Sequence, residues 1–317
     1  MKSDLLLLCK LYPHTMAQLD ATYNVHRYYE AADKEAFVAA TADKITAAAT
    51  SGGDGMKGEL MARYPKLKMI GNYGVGYDGV DIAAAAARGI AVTNTPDVLN
   101  ECVADTTWML ILATVRRAIF NDRYVRSGKW AAQGGAPLTD KVWGEKIGIV
   151  GLGRIGKAIA KRAEGFGMQI VYHGRNQQKD VAYPYYASLT EMAREVKILV
   201  CIMPGGKANE KMIGKEVIDA LGTKGTLINV SRGTNVDQDY LLDALQNKRI
   251  AGAGLDVFAK EPQVPEGFFA LDNVVLQPHV GSGTTATRQA MGQCVVDNLA
   301  AYFSEKPLLT RVPETPA

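Results

Sequence analysis

Along the first third of the chain, short apolar runs alternate with segments of helical period. The runs are Leu5–Cys9, Ile45–Ala48, Lys68–Ile70 and Ile90–Val92, and Lys34–Ala40 and Asp81–Arg88 read as helices between them. Apolar runs too short for helices, separated by helical segments, are the pattern of βα units and predict a parallel sheet. A long helix-compatible stretch then runs from Asp97 to about Val125, with Val103, Trp108, Met109, Ile111, Leu112 and Val115 on its apolar side. The alternation resumes at Lys146 and continues through Ile198–Met203, Thr226–Val230, Gly252–Val257 and Asn273–Leu276, before a second long helix from Thr284 to about Phe303. Two connector helices around one contiguous βα set predict an inserted module, residues 99–284, between two parts of a first domain, residues 1–98 and 285–317. The tail from Pro307 carries three prolines and is expected to be extended and mobile.

One turn in the inserted module carries chemistry. In Lys146-Ile-Gly-Ile-Val-Gly151-Leu-Gly153-Arg154-Ile155-Gly156, an apolar strand (Ile147–Val150) runs into a glycine-punctuated turn. A helix with Ile155, Ala158, Ile159 and Ala163 on its apolar face follows. A dinucleotide pyrophosphate needs this order: Gly151 for the tight turn, Gly153 for close approach of backbone to phosphate, and Gly156 for packing of helix on strand, with the helix N-terminus facing the anion. The glycine spacing alone is weak evidence; the strand before it and the helix after it make it a Rossmann-type site.

The second half of the fingerprint departs from the NAD form. The next strand, Met168–Tyr172, would normally lead to an acidic residue that binds the ribose 2′-OH, but the chain reads His173-Gly174-Arg175-Asn176. Arg175 lies 22 positions after Gly153, close to the usual ~20. An Asp there would repel a 2′-phosphate, whereas a guanidinium binds one through charge-assisted hydrogen bonds. The expected cofactor is therefore NADP(H), with NAD(H) the alternative should Asp180, five residues later, reach back to the ribose.

Composition narrows the class. The 317 residues are 47% hydrophobic and 22% charged with net charge +3, an ordinary globular balance that gives no footprint for nucleic acid. Cys9, Cys102, Cys201 and Cys294 lie far apart with no C-x-x-C pair, so neither a metal site nor a disulfide framework is expected, and they read as reduced thiols of a cytoplasmic protein. Leu5–Cys9 is too short for a signal-peptide core, and no run approaches the ~20 apolar residues of a membrane span.

Reduction of a 2-keto acid needs a cation for the carboxylate, an acid for the carbonyl oxygen, and a group that keeps that acid protonated. Arg232, in Asn229-Val230-Ser231-Arg232-Gly233, and His279, in Gln277-Pro278-His279-Val280-Gly281, each follow a strand end, where ligands of open α/β sheets sit. The guanidinium would grip a carboxylate bidentately, and the imidazole would donate the proton. Glu261, in Asp256-Val257-Phe258-Ala259-Lys260-Glu261-Pro262, would pair with the imidazolium. Each residue also has a bland reading as a helix neighbour, a loop histidine or a surface charge.

The order G-L-G-R-I-G, N-V-S-R-G, G-A-G-L-D-V-F-x-x-E-P and P-H-V-G-S resembles the D-2-hydroxyacid dehydrogenases over most of the chain. Segments such as Asn94-Thr-Pro-Asp-Val-Leu, Asp122–Trp130, Tyr185-Tyr186 and Lys306-Pro-Leu-Leu look most like their glyoxylate/hydroxypyruvate and hydroxyphenylpyruvate reductase branch. The resemblance implies two Rossmann-like doubly wound α/β domains, the dinucleotide-binding one inserted into a flavodoxin-like substrate domain. It implies Arg232, Glu261 and His279 as the catalytic set. It implies Asp256 near the nicotinamide carboxamide, and the backbone of Gly74, Val75 and Gly76 holding the substrate carboxylate beside Arg232. The wider cofactor set is Thr107, Gly151, Gly153, Arg154, Ile155, Gly156, Gly174, Arg175, Asn176, Met203, Pro204, Val230, Ser231, Asp256, His279 and Gly281. A homodimer that reduces a small 2-keto acid such as glyoxylate or hydroxypyruvate with NADPH is expected.

The family's Thr-containing loop is here Pro204-Gly205-Gly206-Lys207, where Lys207 reads as a phosphate contact or a solvated cation. Tyr73 and Tyr77 read as pocket walls or packing, and Trp130 as a partner contact or core. His14, His26 and His173 are expected to be non-catalytic, with His173 near the adenosine. The competing readings are an NAD-dependent D-lactate-type dehydrogenase, a phosphoglycerate dehydrogenase, whose appended regulatory domain a chain ending at Ala317 is expected to lack, and a nucleotide-sensing corepressor-like binding protein.

Overall fold

The structure is a computed structural model that describes residues 2–316. In chain order the N-terminal elements are β1 (Asp4–Leu7), α1 (Pro13–Thr22), β2 (Asn24–Arg27), α2 (Lys34–Thr41), β3 (Ala47–Ser51), α3 (Gly58–Ala62), β4 (Met69–Tyr73), α4 (Ile82–Ala87) and β5 (Ala91–Thr93). The middle elements are α5 (Asn100–Val115), α6 (Ala118–Arg126), α7 (Lys129–Gln133), β6 (Lys146–Val150), α8 (Arg154–Gly165), β7 (Gln169–His173), α9 (Leu189–Glu195), β8 (Ile198–Cys201), α10 (Lys215–Leu221), β9 (Thr226–Asn229), α11 (Gln238–Gln246), β10 (Gly252–Leu255) and β11 (Val274–Leu276). The last helix is α12 (Thr285–Phe303). The chain folds as two compact units, residues 2–99 with 284–316, and residues 100–283.

Each unit is built on one all-parallel sheet. In the first, the strand order is β2-β1-β3-β4-β5, the doubly wound order of flavodoxin-like folds. In the second it is β11-β10-β9-β8-β6-β7. Leu5–Leu7 and Ile198–Cys201 are fully buried because a parallel sheet is covered on both faces, which is why these strands read as unbroken apolar runs. Side chains close the helix starts: Asp33 accepts from the N–H groups of Glu35 and Ala36, Asp81 from Ala84, Ser188 from Glu191, Asp237 from Tyr240 and Thr284 from Thr287. Among the described residues, no helix is long and apolar enough to cross a membrane.

Three expectations change. The stretch from Asp97 to Val125 is not one helix: Asp97 has φ +68, and α5 ends before Arg117, at φ +49. The break is sealed by Asn121, whose side chain donates to the Arg116 carbonyl at 3.1 Å, and by the Arg117 guanidinium lying over the Phe120 ring. Met109 and Leu112 leave the apolar side, because Asp105, Met109, Leu112 and Arg116 share one helical face and that face is outward. The tail is extended as expected but docked. Arg311 bridges Thr93 antiparallel, the Val312 N–H donates to the Val92 carbonyl at 2.8 Å, and Val312 is buried, so the tail covers the otherwise open edge of β5.

Candidate functional site

In the second unit β6 lies between β7 and β8, so chain crossovers leave its two sides in opposite directions and open a crevice at its carboxyl end. The glycine turn sits there. Gly151 has φ +100, its N–H donates to the His173 carbonyl at 2.9 Å, and a Cβ on it would lie 2.9 Å from the Ile202 carbonyl oxygen. A Cβ at Gly156 would come 2.3 Å from the Gly151 oxygen, so only glycine lets α8 approach the turn this closely. At Gly153 no described atom lies within 4 Å of the Cβ position. No side chain caps α8, leaving the first-turn N–H groups of Ile155 and Gly156 facing the crevice. Clear space over Gly153 and open donors at the positive end of a helix fit a pyrophosphate.

The strand beside this turn delivers the cation. The Gly174 carbonyl accepts from the Tyr185 hydroxyl at 3.1 Å, and Arg175 and Asn176 project exposed from the loop after β7. Asp180 does not return to it: its carboxylate lies 3.8 Å from Lys157 on α8, both exposed. His173 is occupied by the Tyr186 carbonyl at 2.9 Å. Met203 and Pro204 follow β8, and their carbonyls both accept from Asn235 Nδ2. Lys207 is exposed in a short 3-10 turn. Thr107 is fully buried in α5, its hydroxyl donating to the Val103 carbonyl one turn back.

At the ends of β9, β10 and β11 the three chemical candidates are assembled by backbone and buried polar groups. His279 sits in the left-handed region at φ +54, a position few non-glycine residues adopt. The buried Asp256 holds it there: its carbonyl accepts from His279 N–H at 2.8 Å, and its carboxylate from Val280 N–H at 2.7 Å and Gly281 N–H at 2.8 Å. Burial pushes the Asp256 carboxyl up from its ordinary value against those two bonds. Glu261 Oε2 lies 2.7 Å from His279 Nδ1, while its Oε1 accepts from Phe258 N–H at 3.0 Å, so one carboxylate is fixed at both ends. Burial alone would raise the Glu261 carboxyl. The bonds from His279 and Phe258, with the charges of His279 and Arg232, outweigh it and hold the carboxyl below its ordinary 4.5.

Arg232 follows β9 in extended backbone, and its carbonyl accepts from Asn229 Nδ2 at 3.0 Å. Ser231 is buried, donates to Asn229 Oδ1 at 2.7 Å and accepts from Asn235 Nδ2 at 3.1 Å. A Cβ at Gly233 would lie 1.9 Å from the Phe258 carbonyl carbon, so the Arg232 turn is seated on the backbone that also aligns Glu261. Asn229 and Asn235 were not singled out in the sequence; an Asn at a strand end, able to bond its own backbone, was the available signal. In the first unit, Tyr73 is packing: it is buried and its hydroxyl donates to the Arg288 carbonyl at 2.9 Å. Tyr77 bonds the Glu314 carboxylate at 3.2 Å. Trp130 is 62% exposed, so it is not core. Among the described residues no group of three or more His, Cys, Asp or Glu is placed to hold a metal ion.

Residues 108–281 match the family described as D-isomer specific 2-hydroxyacid dehydrogenase, NAD binding domain. The glyoxylate/hydroxypyruvate reductase A of Arabidopsis thaliana is 45% identical over 307 residues, covering 97% of this chain and 98% of the relative. The hydroxyphenylpyruvate reductase of Plectranthus scutellarioides is 46% identical over the same shares. The crystal structure of the NADPH-dependent glyoxylate/hydroxypyruvate reductase of Sinorhizobium meliloti, in complex with NADP and malonate, superposes with a TM-score of 0.93 at 45% identity, covering 100% of this chain and 98% of that one.

The lowered Glu261 carboxyl has a consequence for stability. A carboxyl held below its ordinary value stabilises the fold fully above that value, 4.5, and loses the effect as pH falls through the lower folded value. Thermal melts of wild type and Glu261→Gln should therefore differ at neutral pH and converge under acid; a gap that stays constant below pH 4.5 would contradict the pairing.

Proposed function

The chain belongs to the D-isomer specific 2-hydroxyacid dehydrogenase family, and from that premise we propose that it is an NADPH-dependent reductase of small 2-keto acids, glyoxylate and hydroxypyruvate, to D-2-hydroxy acids. The observation that carries this reading is the 2.7 Å contact of Glu261 with His279 Nδ1. With Nδ1 committed to a carboxylate, the proton on Nε2 is the one available to a carbonyl oxygen as it becomes an alkoxide. Arg232 would bind the substrate carboxylate through its planar fork. In the first unit, Gly74, Val75 and Gly76 are proposed substrate contacts through their backbone N–H groups.

NADPH, when bound, supplies a hydride to the keto carbon. The residues proposed to hold it are Gly151, Gly153, Arg154, Ile155 and Gly156 at the pyrophosphate, and Gly174, Arg175 and Asn176 at the adenosine ribose. Met203, Pro204, Val230, Ser231, Asp256 and Gly281 would lie along the remainder, where Asp256 also fixes the His279 turn. Thr107 would contribute through packing, since its hydroxyl is spent inside α5.

We also propose a homodimer in the cytoplasm. Met109, Leu112, Ile119, Val125 and Trp130 on α5–α7 are exposed large apolar side chains, a surface that association would cover. The four free cysteines suit a reducing compartment. Light scattering of the purified chain should give twice the monomer mass, and Val125→Asp should give the monomer; a monomeric wild type would remove the dimer.

Turnover with NADPH over a panel of 2-keto acids and uncharged ketones tests the function. Keto acids should be reduced and acetone rejected, because a site built around polar partners discriminates by up to ~10⁴. His279→Ala should lower kcat by ~10²–10⁴; near-normal turnover would refute its role as donor. Arg175→Ala should raise the KM for NADPH by about tenfold or more, since a hydrogen bond between charged partners contributes ~1.5–3 kcal/mol, and leave that for NADH nearly unchanged. Equal effects on both cofactors would refute the 2′-phosphate contact.

A further inference from the structure

Just after β4 three successive carbonyls are each held by a side chain of the first unit. The Gly74 carbonyl accepts from Asn72 Nδ2 and from the Thr95 N–H, both at 3.0 Å, the Val75 carbonyl from Asn94 Nδ2 at 2.9 Å, and the Gly76 carbonyl again from Asn72 Nδ2 at 3.0 Å. Asn72 is fully buried within β4. Asn94 follows β5 and is itself fixed by the docked tail: its N–H donates to the Thr310 carbonyl at 3.2 Å and its carbonyl accepts from the Thr310 hydroxyl at 2.6 Å. Two asparagine side chains thus draw three successive carbonyls toward the body of the first unit.

A planar trans peptide points its N–H opposite to its C=O. The N–H groups of Val75 and Gly76 therefore face away from that body, and no described residue accepts from either. Successive N–H groups turned to one side form a concavity for an anion. Gly74, at φ +150, supplies the backbone conformation that starts the turn. A loop free to rotate would present carbonyl oxygens as readily as N–H groups, and a carboxylate would have to reorganise it before binding.

We propose that Asn72 and Asn94 are positioning residues that preset this loop for the substrate carboxylate by anchoring its carbonyls from behind. The inference rests on the reading of the chain as a 2-keto acid reductase and assigns determinants of carboxylate affinity that touch neither substrate nor cofactor.

The test uses the full chain saturated with NADPH or NADP. In Asn94→Ala, the KM for glyoxylate and the Kd for malonate, a carboxylate that cannot be reduced, should each rise about five- to tenfold, the equivalent of one hydrogen bond. The kcat should change by less than about twofold, because a contact made equally in ground and transition states moves KM alone. The Kd for NADPH should stay as in wild type. Asn72→Ala, which frees two carbonyls, should have the larger effect; if it does not fold, Asn94→Ala decides alone. Unchanged glyoxylate KM and malonate Kd would overturn the proposal, as would a cofactor Kd that weakens in step with them, the mark of general structural damage. Should wild type reduce no 2-keto acid, the functional reading falls, while the malonate titration still decides whether Asn94 presets an anion-binding loop.

Discussion

The carboxyl end of the sheet in the second unit depends on one buried carboxylate. Asp256 follows β10 directly and is almost wholly removed from water, which costs a charged group several kcal/mol unless it is paired or hydrogen-bonded. It is satisfied by the N–H groups of Val280 and Gly281, and these can reach both oxygens only if the chain turns sharply after β11. That turn places His279 at φ +54, a conformation costing a non-glycine residue about 1–2 kcal/mol. Strain of this kind persists where the surroundings over-determine it. Here three hydrogen bonds from the 279–281 backbone to Asp256 do so.

The same segment then aligns the other groups. Two residues beyond Asp256, the Phe258 N–H orients Glu261 toward the imidazole, and the Phe258 carbonyl forms the floor on which Gly233 seats the Arg232 turn. Arg232, His279 and Glu261 are therefore held by one stretch, residues 256–261, rooted in a strand registered on both sides in a parallel sheet. Asn229 and Asn235 secure the Arg232 side, linking the ends of β8 and β9. The arrangement keeps flexible side chains on short, strapped loops, which is how a reacting geometry is held without substrate to organise it.

Much of this was legible in the sequence because parallel strands covered on both faces leave apolar runs, and because Gly151, Gly153 and Gly156 each answer a separate steric demand. The candidate cation and acid were recognisable as residue types following strands, and Glu261 as a carboxylate to pair with the acid, but their mutual distances were not. What the sequence concealed has physical reasons. β2, Asn-Val-His-Arg, is an edge strand without an apolar run, and His26 in it bonds Asp4. α1 carries only a weak apolar face, with Thr15 and Leu19 buried. The break at Arg117 lies between two segments that both suit a helix and is decided by the Asn121 bond to Arg116, which no periodicity reveals. The tail looked free because its prolines suppress regular structure, yet Val312 and Thr315 satisfy an edge that only the folded sheet creates.

If Asp256 acts in turnover by fixing His279, its effect must vanish when the imidazole is gone. The direct measurement is a double-mutant cycle in kcat for 2-keto acid reduction, with Asp256→Asn made in wild type and in His279→Ala. The account expects Asp256→Asn to lower kcat strongly in wild type and to add little in the His279→Ala background, a large interaction energy between residues acting as one unit. Equal, additive losses in both backgrounds would contradict it.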